Sequence, residues 1–148
     1  MISLKKNIRW INLYFPYLGS GISVKNANED FTAIEVQMKM RWYNRNLVGT
    51  HFGGSLYSMC DPFYMFILME NLGKGYIVWD KAASIKFKKP GLSTVMARFE
   101  ISKERIAEIK QEVDKIGKND YTFSTTIQNE KGEIIAEVEK VVYVRKKQ

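Results

Sequence analysis

The chain has 148 residues, with 23 Lys or Arg and 16 Asp or Glu, so its net charge is +7 when the single histidine is neutral. This length predicts one domain over residues 1–148. The only cysteine, Cys60, excludes an intrachain disulfide and favours a reducing, cytoplasmic location. One histidine and one cysteine cannot form a Cys/His zinc site, and the chain lacks the GxGxxG and GxxxxGKS/T nucleotide-binding motifs. These counts leave a carboxylate-rich metal site open. The prediction for this chain is that it binds no metal and requires no cofactor.

The isoelectric point near 9.4 favours an anionic partner, which is a nucleic acid, a phospholipid surface or a phosphorylated metabolite. The basic residues form three short clusters, at 5–6, 86–89 and 145–147. None is the long run that is typical of a nucleic-acid-binding arm, so no nucleic acid partner is expected. The longest uninterrupted apolar run, residues 63–69, is far shorter than the roughly 20 residues that span a bilayer.

The first predicted element is an amphipathic helix over residues 4–18. Its apolar side chains recur at the spacing of one helical face: Leu4, Ile8, Ile11, Phe15 and Leu18. Pro16 and the Gly-Ser-Gly segment at 19–21 end it. A basic, aromatic-rich helix of this kind packs on the domain's own sheet or lies on a membrane surface, and we expect the first arrangement.

Two strands and a long helix are predicted next. Apolar and polar residues alternate over 34–41, as in a half-buried strand, and residues 22–25 pair with it through a turn at 26–30. A polar loop over 43–54 leads into an apolar segment, 55–72, that Gly73 and Gly75 close. This segment is too long for a strand and is apolar nearly all round, as expected of a helix enclosed by the fold.

The second half is predicted to be mostly strand. Side chains of one strand parity come first, at Ile77, Trp79, Ala83, Ile85 and Phe87. A strand over 95–101 follows, then a short helix over 103–116 that ends at Gly117, and finally strands over 121–127 and 134–144. The expected fold class is α+β, with an antiparallel sheet around a central helix.

Only one segment combines the residue types that catalysis requires. Gly53 and Gly54 open the predicted long helix, where backbone N–H groups can approach a carbonyl closely and stabilise a developing oxyanion. Asp61 follows among apolar neighbours, which suits a general base or nucleophile. The seven residues from Gly54 to Asp61 place them about 10 Å apart along one helix face. An acyl carbonyl at the helix start would therefore need Asp61 from a second subunit.

Each of these residues also has a purely structural interpretation. The glycine pair is explained equally by a flexible turn, and His51 by a satisfied structural histidine. Asp61-Pro62 resembles a helix start, since Asp is a good N-cap and Pro is favoured at the first helical position. In that case the preceding residues, 55–60, form a separate turn.

Further binding candidates lie on either side of this segment. Ser55, Tyr57 and Ser58 offer hydroxyl groups, although they occupy different faces of the helix. Lys86 and Lys88 share one strand face, which makes a basic stripe able to hold the phosphates of CoA. A solvated edge strand that resists aggregation explains the same two lysines equally well.

The order of elements and the segment Asn46-x-x-Gly49-x-His51-Phe52-Gly53-Gly54-x6-Asp61 resemble the hotdog fold, in particular the PaaI-like acyl-CoA thioesterases and a little-characterised bacterial group near them. The resemblance implies a curved antiparallel sheet wrapped around the long helix. The N-terminal helix and the helix over 103–116 are additions to that fold. It also implies a homodimer, or a tetramer of dimers, that binds acyl-CoA at the subunit interface.

The resemblance also implies roles for particular residues. Gly53 and Gly54 would form the oxyanion site, His51 and Asn46 would orient the thioester, and Asp61 would activate water or attack directly. The expected function is hydrolysis of an acyl-CoA or acyl-carrier-protein thioester, with CoA as part of the substrate. Phe52 stands between the histidine and the glycines, which are adjacent in PaaI-like enzymes. Pro62, directly after Asp61, also removes a backbone hydrogen bond at the site. A non-catalytic acyl-CoA-binding protein is therefore retained as an alternative, and the N-terminal helix with the basic clusters retains a peripheral membrane protein as another.

Overall fold

The computed structural model describes residues 3–148. The helices are α1 (Leu4–Asn7), a 3₁₀ helix (Ile8–Leu13), α2 (Phe15–Ser20), α3 (Gly53–Ser58), α4 (Phe63–Leu72) and α5 (Lys103–Ile116). The strands are β1 (Ile22–Ala27), β2 (Ala33–Met38), β3 (Tyr76–Phe87), β4 (Val95–Glu100), β5 (Lys118–Asn129) and β6 (Ile134–Lys146).

The six strands form one curved antiparallel sheet in the order β1-β2-β4-β5-β6-β3. Each predicted period-two segment is a strand here, so the α+β prediction is confirmed. β3 lies at one edge, where it pairs with β6 from Tyr76↔Lys146 to Phe87↔Ala136. β1 lies at the other edge, paired with β2 in the predicted hairpin.

α4 is the helix that the sheet encloses. Phe63, Ile67 and Leu68 are all 0 % exposed, and they pack against inward residues of the strands such as Phe99 and Ile127. Burial of an apolar helix by a sheet supplies most of the hydrophobic free energy of such a fold. α5 covers another part of the same core with Ile106, Ile109 and Val113.

The predicted helix over 4–18 is wrong in its continuity, since the segment is split into α1, the 3₁₀ helix and α2. Two local features explain why the helix is split. Pro16 cannot donate a backbone hydrogen bond and stands in the first turn of α2. Asn12 exchanges hydrogen bonds with Val24 of β1, accepting from its amide at 2.7 Å. As a result Phe15, predicted on the buried face, is 84 % exposed.

The predicted long helix over 55–72 is also divided, because α3 ends at Ser58 and α4 begins at Phe63. Pro62 directly precedes α4 and has no N–H to continue the hydrogen-bond ladder of α3. The alternative in which a helix starts near Asp61-Pro62 is therefore correct for α4. The Asp61 side chain does not cap that helix, since α4 has no side-chain cap.

The predicted parity of β3, with its odd-numbered residues on one face throughout, is wrong because the strand contains a bulge. The register against β6 shifts between Asp80 and Ala82, so the inward face changes from even to odd positions. Val78 is consequently buried, whereas Trp79, predicted to share a face with Ile85, is 66 % exposed. The bulge also turns Asp80 toward the interior, where the sequence pattern had not placed it.

No helix within residues 3–148 is both long and apolar enough to cross a membrane.

Candidate functional site

The loop before α3 is organised by Asn46. Its side-chain oxygen accepts from the amides of Thr50 at 2.9 Å and Val48 at 3.1 Å, and its Nδ2 donates to Thr50 Oγ1 at 2.8 Å. These bonds form a closed local turn, with Gly49 at φ +81°. The structure thus engages the Asn46 side chain in shaping the loop that leads to the glycines.

His51 anchors this loop to the strand connection at 91–93. Its amide donates to Gly91 O at 2.9 Å and its ring Nε2 lies 2.8 Å from Ser93 O, so Nε2 carries the proton. The residue is 3 % exposed, and Nδ1 is buried without a hydrogen-bond partner within residues 3–148. Burial lowers the pKa of His51, and the Ser93 carbonyl only partly opposes this. The structural interpretation of His51 therefore accounts for all of its observed contacts.

The lowered pKa of His51 makes a prediction about stability. A histidine held neutral in the folded state stabilises it above the unfolded-state pKa, and this contribution is lost as the pH falls through the folded pKa. We expect the difference in free energy of unfolding between the wild type and His51→Gln to shrink as the pH falls from about 7 to about 5. Urea unfolding at a series of pH values measures it. Both proteins contain the same carboxylates, so the titration of those groups cancels in the difference between their free energies of unfolding. A difference that stays constant with pH would contradict the prediction.

Gly53 and Gly54 occupy the first turn of α3, where amide groups have no intrahelical acceptor. Within residues 3–148 neither amide donates a hydrogen bond to a protein acceptor. Two aromatic rings lie against the glycines, because a Cβ on Gly53 would come 3.1 Å from Phe87 Cζ and one on Gly54 would come 2.6 Å from Phe52 Cε1. A cleft of about 370 Å³ opens beside them, lined by residues that include Thr50, Gly53, Leu56, Phe87, Lys88 and Pro90.

Asp61 lies in the break between α3 and α4, with its side chain 49 % exposed. Its Oδ1 accepts two hydrogen bonds, from Tyr57 Oη at 2.9 Å and from Lys140 Nζ at 3.1 Å. Oδ2 accepts none within residues 3–148. One carboxylate oxygen is therefore fixed by the protein and the other is available to a ligand or to water.

Lys140 projects from β6 into the interior, and its side chain is only 1 % exposed. Its Nζ also lies 3.4 Å from Asp80 Oδ1, an ion-pair distance without hydrogen-bond geometry. Burial lowers the pKa of Lys140, but Asp80 and Asp61 together raise it above its ordinary value. Burial raises the pKa of Asp80, and the positive charge of Lys140 opposes this only in part. The cluster thus holds one buried ammonium group between two carboxylates.

Lys140 and Asp80 are the site residues that the sequence analysis missed. Lys140 occupies the inward parity of β6, between the buried Val138 and Val142. A lysine at an apolar position of an alternating strand is an available signal, since lysine is almost never fully buried unless it is paired. Asp80 gave no comparable signal, because only the bulge in β3 turns it inward.

The other side chains of α3 and the break after it mostly bond within the protein. Ser58 Oγ donates to Gly54 O at 2.8 Å, and Ser55 Oγ lies 3.4 Å from Ser20 Oγ, so both hydroxyls bond within the protein. Burial of Tyr57 and its bond to Asp61 raise the pKa of the Tyr57 phenol. Burial raises the pKa of the Cys60 thiol to about 12, which agrees with an inert thiol.

The two lysines predicted as one stripe are separated by the end of β3. Lys88 lines the cleft beside Gly53 and pairs with Glu137, Nζ to Oε2, at 3.1 Å. Lys86 instead lines a different groove, of about 590 Å³, together with Glu137 and Glu139. Of the two, only Lys88 lies next to the glycine turn.

A curved antiparallel sheet that encloses one apolar helix is the arrangement of the hotdog fold, so the predicted fold is confirmed. The family described as a domain of unknown function, DUF4442, matches residues 6–144. The chain belongs to that family. No curated protein sequence matches it significantly.

Solved structures with the same fold include several that are described as thioesterases. A Pseudomonas aeruginosa protein of unknown function, described as a probable thioesterase, superposes with a TM-score of 0.84 at 18 % identity, over 97 % of this chain and 95 % of that one. The Escherichia coli PaaI protein from the phenylacetic acid degradation operon gives 0.62 at 17 % identity, over 100 % and 97 %. A hypothetical thioesterase from Streptococcus pneumoniae, solved with coenzyme A, gives 0.63 at 15 % identity, over 93 % and 98 %.

Proposed function

We propose that the protein is a thioester hydrolase that acts on an acyl-CoA or acyl-carrier-protein conjugate at an interface between two copies of the chain. The observation that carries the proposal is the Asp61 carboxylate, which has one oxygen held by the protein and the other free at a half-exposed position. It lies one short helix away from the amides of Gly53 and Gly54, which have no acceptor within residues 3–148, in a fold shared with proteins described as thioesterases.

In the proposed reaction, Asp61 acts as a general base. Its free oxygen takes a proton from water as the water oxygen bonds to the thioester carbon, and the carbonyl electrons move onto the carbonyl oxygen. When the tetrahedral intermediate collapses, the C–S bond breaks and the sulfur leaves with the electron pair. The proton held by Asp61 passes to that thiolate, so the products are the free acid and the thiol of CoA.

The oxyanion of the intermediate is assigned to the amides of Gly53 and Gly54. Preorganised backbone donors of this kind are typically worth about 10²–10³ in rate. α3 runs from Gly53 to Ser58, about 8 Å at 1.5 Å per residue, and Asp61 follows beyond its end, so the glycine amides and the Asp61 carboxylate are too far apart to contact one carbonyl group. The proposed site therefore combines the glycines of one subunit with Asp61 of another, in a homodimer or a tetramer of dimers.

Two features of the surface support a site that is shared between two subunits and binds CoA. β3 has one strand neighbour only, and the large side chains of Trp79 and Phe87 on it are 66 % and 56 % exposed. Such an open apolar edge is a ready surface for a second copy. Lys88 and Lys89 line the cleft beside Gly53, where a cation favours the phosphates of CoA.

The experiment that tests the proposal is release of free thiol from a panel of acyl-CoA and acyl-carrier-protein thioesters of different chain lengths. We expect turnover of at least one CoA thioester, with products in a one-to-one ratio of acid and thiol. Calorimetric binding of acyl-CoA without any hydrolysis would contradict the proposal and support the non-catalytic alternative.

A second candidate function, binding to a membrane surface, is favoured by one observation. Ten large apolar side chains of the N-terminal helices and of the loop before α3 are exposed: Trp10, Leu13, Tyr14, Phe15, Leu18, Trp42, Tyr43, Leu47, Val48 and Phe52. We call these ten residues the apolar face. A hydrogen bond from Asn44 Nδ2 to Ser20 O joins the two segments at 2.8 Å, and a groove of about 680 Å³ lies between them.

The charge around the apolar face favours an anionic lipid surface as its occupant. Residues 1–28 and 36–60 contain no Asp or Glu, but they contain seven basic residues: Lys5, Lys6, Arg9, Lys25, Lys39, Arg41 and Arg45. Within residues 3–148 no ion pair includes Arg9, Arg41 or Arg45. Aromatic side chains flanked by unpaired arginines match the headgroup region of an anionic bilayer.

We expect the full chain to co-sediment with phosphatidylglycerol-containing vesicles, less with pure phosphatidylcholine vesicles, and less again as salt screens the charges. The variant Trp42→Ser/Leu47→Ser is expected to lose most of this binding. Leu92→Ser/Ile116→Ser is the matched control, because those side chains are 68 % and 61 % exposed but lie outside the apolar face. Equal binding by both variants would contradict the second function. If the substitutions at 42 and 47 instead lower the oligomeric mass, the face is an interface between copies.

A further inference from the structure

We infer that Lys140 is a positioning residue for the Asp61 base, because its buried ammonium group holds Oδ1 and leaves Oδ2 as the oxygen that receives the proton. This inference rests on the proposed hydrolase function. It adds Lys140, which lies outside the segment that contains the glycines and Asp61, to the proposed site. Lys140 is 79 residues away from Asp61 in the chain and reaches it from the inner face of β6.

The contacts of the Asp61 carboxylate support this role. Lys140 Nζ lies 3.1 Å from Oδ1 and Tyr57 Oη lies 2.9 Å from the same atom, so two donors converge on one oxygen. Lys140 Nζ is also 3.4 Å from Tyr57 Oη, which makes the three groups one closed triangle. A carboxylate with one oxygen anchored twice has little freedom to rotate, and its other oxygen keeps a defined direction.

The burial of Lys140 shows that it is not a solvated surface lysine that happens to reach Asp61. Its side chain is 1 % exposed, whereas that of Asp61 is 49 % exposed. The ammonium group is kept in the interior by a second carboxylate, Asp80, at 3.4 Å on the neighbouring strand β3. Asp80 therefore fixes the ammonium group from the side of β3, and Asp61 is held against a cation whose position the protein has set.

The charged and titratable groups facing Lys140 come from every element packed around it. Asp61 lies between α3 and α4, Tyr57 lies on α3, Asp80 lies on β3, and the Cys60 thiol is close enough to sense the charge of Lys140. Among these groups Asp61 is the half-exposed carboxylate, whereas the side chain of Asp80 is only 20 % exposed. Removing the ammonium group would leave Oδ1 of Asp61 with the Tyr57 hydrogen bond alone, so the carboxylate could turn and the rate should fall.

The test compares steady-state hydrolysis of an acyl-CoA substrate by the wild type and Lys140→Met, which keeps an unbranched side chain but removes the charge. We expect kcat to fall about 10²-fold while KM changes by less than about threefold, since the reacting groups are misplaced but the ligand contacts remain. Lys140→Arg, which keeps the charge, is expected to recover part of the rate.

A second variant separates positioning from folding. Lys140→Met leaves Asp80 as a buried carboxylate without its partner, which destabilises the fold. Asp80→Asn/Lys140→Met removes that stranded charge and is expected to unfold cooperatively while retaining the low kcat and the nearly unchanged KM. Lys118→Met is the control, because Lys118 is an exposed strand lysine with no ion pair within residues 3–148, and its kinetics are expected to match the wild type.

Failure of the inference and failure of the proposed function give different results. A folded Asp80→Asn/Lys140→Met protein with wild-type kcat overturns the positioning role and leaves the hydrolase function intact. A wild type that hydrolyses no thioester overturns the proposed function. In that event the contact is tested by a double-mutant cycle on unfolding with Lys140→Met and Asp61→Asn, where additive effects would show that the two side chains do not interact.

Discussion

Replacing Asp61 with Asn is expected to lower kcat for acyl-CoA hydrolysis by about 10²–10⁴-fold, because the amide cannot accept the proton of the attacking water. The substitution preserves the size of the side chain and an oxygen for the Tyr57 hydrogen bond, so the fold and the KM are expected to change little. Thiol release under steady-state conditions measures both constants, and circular dichroism confirms the fold.

Asp30→Asn is the matched control for this substitution. Asp30 is an exposed carboxylate whose Oδ2 pairs with Lys103 at 2.6 Å, far along the chain from the glycine turn. An exposed pair of this kind contributes little to stability, so the control tests only the loss of a negative charge. Unchanged turnover in Asp61→Asn would remove Asp61 from the role of base. Equal losses in both variants would show an effect of net charge.

The largest expected loss of stability follows from Phe63→Ala. Phe63 opens α4, is 0 % exposed, and has its ring centroid 5.0 Å from Phe99 and 6.4 Å from Tyr17. Truncating a buried phenylalanine removes its transfer free energy and leaves a cavity, which together cost about 3–5 kcal/mol of unfolding free energy. For a chain of this size the melting temperature should fall by roughly 10 °C or more. Thermal and urea unfolding followed by circular dichroism measure both quantities.

Phe15→Ala provides the comparison for that loss. Phe15 is 84 % exposed on α2, so its truncation is expected to change the free energy of unfolding by less than about 0.5 kcal/mol. A large destabilisation at Phe15 would mean that the side chain is buried in the folded protein in solution, by a second copy or by rearrangement of the N-terminal helices.

Hydrophobic periodicity predicted the strands well because apolar and polar residues alternate in a half-buried strand, and the apolar ones face the core. The alternation in β2 and β6 and the three- and four-residue spacing in α5 all correspond to observed elements. The same reasoning was wrong where one local feature interrupted a continuous pattern. Pro62 divided the long helix into α3 and α4, and Pro16 with Asn12 divided the N-terminal helix.

The glycine turn and Asp61 were recognisable as a candidate site because their spacing is a property of one short segment. The surroundings of Asp61 were not recognisable in the same way. Its partner Lys140 comes from a strand 79 residues further along, and Asp80 faces inward only because β3 contains a bulge against β6. His51 was also ambiguous, since its contact with Ser93 O lies across a loop that no periodicity describes.

Composition and local pattern were therefore enough for the fold class, the glycine turn and the candidate base, since these depend on residues that are neighbours in the chain. Strand register established the rest: a buried lysine fixed between two carboxylates, one of which is open to solvent. Register depends on the packing of the entire sheet, and a shift of one residue would exchange the inward and outward faces of a strand. The cluster of Asp61, Asp80 and Lys140 thus exists only in the folded chain, because the free energy that buries the lysine comes from the sheet around it.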